Sequence, residues 1–127
     1  MYTLTLTEEQ AAILRDAYEL LARVHMGQFN AAVDEVLRRR DDCRDSMYAA
    51  KDIACSLERT MFPNGAGPRP ERANVAWDLY QVVRHSVAWA TLPPNEDRPA
   101  YLVQYGAPML TSAQEPLAVC TVDEGGG

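Results

Sequence analysis

Lysine is nearly missing from this chain: of its twelve basic residues eleven are arginine, and Lys51 is the exception. Histidine occurs only at positions 25 and 85, and cysteine three times, at 43, 55 and 120. Three thiols cannot all pair, and Cys43 and Cys55 fall about 18 Å apart on a single predicted helix, so reduced cysteines are expected. No segment approaches the ~20 apolar residues of a membrane span. The opening residues, MYTLTLTEEQ, have neither the basic start nor the apolar run of a secretory signal, so a cytoplasmic protein without membrane association is expected.

Chemistry-bearing motifs are also scarce. With two histidines and no Cys-x-x-Cys or His-x-x-x-His spacing, no metal site is expected. Gly65-Ala66-Gly67 lacks both a preceding strand and a following Gly-Lys-Ser/Thr, so it reads as a turn and not as a phosphate loop. Ser86 adjoins His85, but neighbours on a helix diverge by about 100°, which precludes a nucleophile and base pair. The expectation is a binding protein with no catalytic residue and no cofactor.

What is present is an ordinary globular composition, with 47% apolar and 24% charged residues over 127 positions. One α+β domain over residues 1–122 is expected, followed by a tail at 123–127. The net charge of −6 argues against binding long nucleic acid. Two explanations of the arginine bias remain open, a GC-rich genome or selection for planar, two-pronged phosphate contacts.

Tyr2 to Leu6 alternate as a strand would, and Thr7 with Gln10 forms the signature of a capping box that starts a first helix. Its expected inner stripe is Ile13, Ala17, Leu20, Leu21 and Val24, and Gly27 ends it. A second helix is predicted over 30–38, with Phe29, Val33, Val36 and Leu37 inward. A third, from Asp41 onward, carries Met47, Ala50, Ala54, Leu57 and Met61 and stops at FPNGAGPRP. A fourth spans 71–90 with Ala76, Leu79, Tyr80, Val83 and Val87 as its stripe. Residues 101–105 and 117–122 complete the prediction as two further strands. The lone N-terminal strand needs a partner, either those strands or a second subunit, and a homo-oligomer is therefore expected.

The fourth helix carries the densest functional chemistry. At helical spacing Trp77, Gln81 and Arg84 share one line and Asp78, Gln81 and His85 the next, which groups an indole, an amide, a guanidinium, an imidazole and a carboxylate over two turns. Such a patch can stack a base, read its edge and hold phosphate. Alternatively Asp78 simply holds Arg84 or His85. Arg38, Arg39, Arg40 and Arg44, interleaved with Asp41, Asp42 and Asp45, read as a self-neutralising surface.

LTEEQAAILRDAYELLARVHMGQFNAAVDEVL at 6–37, FPNGAG at 62–67 and RANVAWDLYQVVRHSVAW at 72–89 together resemble a family of small phage proteins. This is the anti-defence family that counters Thoeris immunity by sequestering cyclic ADP-ribose isomers. The resemblance implies a homo-oligomer of mixed α+β protomers in the infected bacterial host, binding a cyclic nucleotide signal, and in some members cyclic oligonucleotides, without cleaving it. Carried onto this chain, it implies Phe62 as the aromatic that stacks the base and Arg84 as the phosphate clamp, with Arg72 and His85 beside them. The loop after Phe62 is shorter than in the family, and its polar ligand-reading residue is either missing or replaced by Asn64 or Asn74. Two other classes compete: an acidic inhibitor that binds a defence effector through protein contacts, as anti-CRISPR proteins do, and a small hydrolase that uses His85.

Overall fold

A computed structural model of the chain describes residues 1–92, 106–114 and 116–123. Four helices appear in order: α1 (Glu8–His25), α2 (Asn30–Arg39), α3 (Met47–Met61) and α4 (Glu71–Thr91), with a 3-10 turn at Asp41–Ser46 between α2 and α3.

Their boundaries follow from local chemistry. The Thr7 hydroxyl accepts from the Gln10 amide at 3.2 Å while the Gln10 side chain accepts from the Thr7 amide at 2.9 Å. This reciprocal pair satisfies two donors that the first turn of α1 would otherwise leave open. At the other end Gly27 adopts a φ of +78°, which a residue with a Cβ enters only at a cost. A Cβ there would also stand 3.0 Å from the Phe62 ring, so the absence of a side chain lets the end of α3 close onto the α1–α2 turn. The Phe62 ring in turn stacks on Phe29 at 6.2 Å. Proline-rich residues 63–70 then lead into α4.

α1 and α4 form the main packing unit and run antiparallel. Arg23, near the end of α1, sits over Trp77 at 5.6 Å, whereas Arg15 and Asp16, near its start, share a cavity with Val87 and Thr91. Small residues allow the close approach: Ala22 and Ala73 are fully buried, and Ala76 nearly so. α2 packs on both α1 and α3, but α3 reaches neither α1 nor α4.

The expected α+β fold is overturned: among the described residues there are four helices and no strand. Residues 2–6 are all exposed and pair with nothing in a ladder. Residues 117–122 also form no strand; they lie near α4, where Ser86 Oγ donates to the Cys120 carbonyl at 3.2 Å. The predicted strand at 101–105, and most of the predicted tail, lie outside the described residues. Alternating threonine and leucine record β-propensity only, and a strand needs a neighbour to satisfy its backbone.

The predicted core also shifts. Ile13 is 63% exposed despite its place in the expected α1 stripe, and Val36, Leu57 and Met61 are exposed as well. Among the described residues no large side chain is fully buried. In α4 the buried set extends to Asp78 and Gln81, which face away from the expected apolar stripe.

Candidate functional site

α4 is polar on two flanks, and the two are used differently. On one, the C-terminal segment lies against the helix and is tied down by side chains. Asp78, 5% exposed, accepts from the Thr111 amide at 2.8 Å, the Thr111 hydroxyl at 2.5 Å and the Ser112 amide at 2.9 Å. Gln81 acts as a surrogate strand partner for Met109, donating to its carbonyl at 3.0 Å and accepting from its amide at 3.2 Å. Two turns before Asp78, the Glu71 carboxylate takes the Ala113 amide at 2.5 Å. Burial, the largest single influence, pushes the Asp78 carboxyl up, but the hydrogen bonds from Thr111 and Ser112 together outweigh it and hold its pKa below the usual value. The charge is thus kept, and it is matched by backbone and hydroxyl donors in place of a cation.

On the other flank the Arg84 guanidinium lies over the Tyr80 ring, 4.8 Å from its centre, and donates to the Tyr80 hydroxyl at 3.4 Å. Tyr80 leans on Trp77 with ring centres 5.0 Å apart. Burial raises the pKa of the Tyr80 phenol by more than its hydrogen bond with Arg84 lowers it, so the ring stays neutral. Arg84 has no carboxylate within ion-pair distance among the described residues, and its Nε is buried without a hydrogen-bond partner. A buried donor left open costs roughly 1–3 kcal/mol, more when charged, so this position favours an incoming acceptor.

Arg84 opens onto a cavity of about 380 Å³ that also takes in Arg15, Arg38, Asp16 and Glu19. Its other charges are engaged: Arg15 with Asp16 at 3.0 Å, Arg38 with Glu35 at 3.4 Å, and Glu19 with Arg23 at 3.5 Å. Arg84 is the cation left over. Its volume lies at the low end of the 300–1,000 Å³ usual for small-molecule sites.

The residues expected at a site are therefore separated. Gln81 and Asp78 belong to the C-terminal clamp. Trp77 and Arg84 lie on the α1-facing flank, linked through Tyr80. His85 turns its ring edge to Trp89 at 6.2 Å, its Nδ1 is buried without a partner, and it forms no hydrogen bond to a serine, cysteine or carboxylate among the described residues. Phe62 serves as packing between Phe29 and Gly27. Gly27 lies about 18 Å along α1 from Arg15, so Phe62 and Arg84 do not meet within one chain. Asn64 is exposed in the turn before Gly65, and Arg72 borders a separate cavity with Tyr18 and Leu21.

By spacing Arg38 falls on the expected self-neutralising surface and Tyr80 in the expected core stripe of α4. Its spacing of four from Arg84 is the signal that pairs Tyr80 with it. Nothing local marks Thr111 as the partner of Asp78, because the two are far apart in sequence and the 109–113 segment has no regular structure. Among the described residues no group of histidine, cysteine, aspartate and glutamate is arranged to hold a metal ion, and no helix is long and apolar enough to cross a membrane. No protein-family model, curated protein or solved structure matches the chain.

Proposed function

We propose that this chain is a non-catalytic binding protein for a phosphate-bearing small ligand of the cyclic nucleotide signal class, and that it acts by sequestration. The observation that carries the reading is the state of Arg84: a guanidinium oriented by the Tyr80 ring, with a buried open donor, no carboxylate partner among the described residues, and two more arginines around one cavity. Arginine offers a planar fork that matches two phosphate oxygens, and a pyrophosphate bridging Arg84 and either Arg15 or Arg38 would supply the acceptor that Arg84 lacks. The alternative in which Arg84 merely neutralises Asp78 loses its basis, since Asp78 is filled by Thr111 and Ser112.

The phosphate end of such a ligand is better supported than the base end. Tyr80 is covered by Arg84 and flanked by Trp77, and Phe62 is committed to Phe29. The resemblance to phage anti-defence proteins directs attention to cyclic ADP-ribose isomers first and cyclic oligonucleotides second. The test is calorimetric titration of the full chain with each, followed by heat denaturation and mass spectrometry of the released ligand. Saturable binding, lost in Arg84→Ala, with ligand of unchanged mass is the expected result. No binding by either class, or a product of altered mass, overturns the proposal.

A further inference from the structure

α2 packs on both α1 and α3 while those two do not meet, and the gap between them is a cleft of about 960 Å³ floored by α2. That volume is at the upper end of what small-molecule sites use. Leu37 and Met47, both half-buried, give the cleft an apolar wall, and methionine adapts its shape to a flat ring. Glu19 and Arg38 border this cleft and the Arg84 cavity alike, so the two are adjoining spaces. Together they are lined by six cations and four carboxylates, a local excess of positive charge in a chain whose net charge is −6.

The end of the cleft away from Arg38 has a different character. Asn30 Oδ1 is buried with no hydrogen-bond partner, and its Nδ2 reaches only the Cys55 sulfur at 3.7 Å. Glu58, one turn beyond Cys55 on α3, is half-buried and forms no ion pair or side-chain hydrogen bond among the described residues. The cations nearby are already engaged, Arg23 by Gln28 at 2.8 Å and Glu19 at 3.5 Å, and Lys51 by Asp34 at 3.3 Å. Two acceptors therefore stand open at one end of the cleft. Leaving them so is unfavourable, and an incoming donor relieves it.

We infer that this cleft seats the base of the ligand whose phosphates meet Arg84, and that the base is a purine carrying an exocyclic amine. The inference rests on the anion reading of Arg84 for the orientation of the ligand. An amine has two hydrogens: one is donated to Glu58 and the other to Asn30 Oδ1, whose terminal torsion is soft enough to turn the oxygen into the cleft. Asn30 and Arg38 are eight residues apart, about 12 Å along α2, a separation that an extended nucleotide covers from base to phosphate. A purine with a carbonyl in place of the amine would set an oxygen against the same two acceptors. The pair is thus a filter as well as a seat.

The experiment is heteronuclear NMR of the full chain titrated separately with adenosine diphosphate, inosine diphosphate and inorganic pyrophosphate, which divide the ligand into base and phosphate ends. All three should shift the amides around Arg84. Adenosine diphosphate should also shift those of Asn30, Asp34 and Lys51, and inosine diphosphate should do so only at concentrations at least about tenfold higher. Asn30→Ala and Glu58→Ala should each cut that preference about threefold while the Arg84 region still responds. Silence of the cleft amides under adenosine diphosphate overturns the inference whatever Arg84 does, as does an equal response to inosine diphosphate. A preference undiminished in both variants, with folding intact by circular dichroism, overturns it as well. Silence at Arg84 under all three probes defeats the anion reading instead.

Discussion

Asp78 and Arg84 are separated by about 9 Å of helix rise on α4, yet the protein treats their charges in opposite ways. Asp78 is buried and saturated, each oxygen meeting donors from Thr111 or Ser112. Arg84 is oriented by Tyr80 but left short of an acceptor, its Nε enclosed and open. A buried charge that has been satisfied holds structure together, and removing it leaves its partners stranded. A charge kept oriented and unsatisfied costs stability in the free protein and is retained where something else comes to meet it. The difference teaches that the polar patch of α4 is two devices: a strap for the C-terminal segment and, in the function proposed above, a seat for an anion.

Mutations should separate the two. The largest stability effect is expected on the strap: Asp78→Ala removes the acceptor for three donors and should cost about 3 kcal/mol in denaturant unfolding, with amide exchange accelerated at Thr111 and Ser112. Ligand binding at Arg84 should survive at conditions where the variant is folded. Next is Gly27→Val, at the turn that seats Phe62. A β-branched residue at φ +78°, with its Cβ 3.0 Å from that ring, should cost about 2 kcal/mol and loosen α3 without touching either flank of α4.

Acid sharpens the contrast further. Because the folded pKa of Asp78 is lowered, its contribution is fully present above the ordinary aspartate value of about 4 and is lost as pH falls through the folded value. Exchange at Thr111 and Ser112 should therefore rise below about pH 4, while that of the buried α1–α4 amides around Ala22 and Ala73 follows only at global unfolding. The smallest stability effect belongs to Arg84→Ala, expected to lie within about 0.5 kcal/mol of the parent because no ion pair among the described residues is broken. Large destabilisation in that variant would make Arg84 part of the strap's kind of device.

Much of the scaffold is legible in the sequence. The Thr7–Gln10 box, Gly27 and the run FPNGAGPRP mark helix ends by chemistry that acts over a few residues, and the helices start and stop there. The 3-10 turn at Asp41–Ser46 displaces the start of α3 by several residues, since two aspartates suit the first turn of either helix type. Strands fail for a different reason. Period-two alternation at 2–6 states a preference that only a neighbour can fulfil, and no neighbour takes it up among the described residues.

The site divides in the same manner. Tyr80 and Arg84 are four apart and meet as helix spacing requires, whereas Asp78 finds Thr111 through an irregular segment for which no spacing rule exists. Phe62 shows the limit of carrying a role by resemblance. An aromatic in the loop before the long helix is present, but the glycine opposite it draws the ring into packing.

The most direct test of the account is a calorimetric comparison of native chain, Arg84→Ala and Asp78→Ala titrated with a cyclic ADP-ribose isomer at neutral pH. The account predicts saturable binding by the native chain, at least about tenfold weaker binding by Arg84→Ala, in keeping with loss of a charge-assisted contact, and near-native affinity in Asp78→Ala. Equal affinity in the native and Arg84→Ala chains, with folding intact in both, would contradict it.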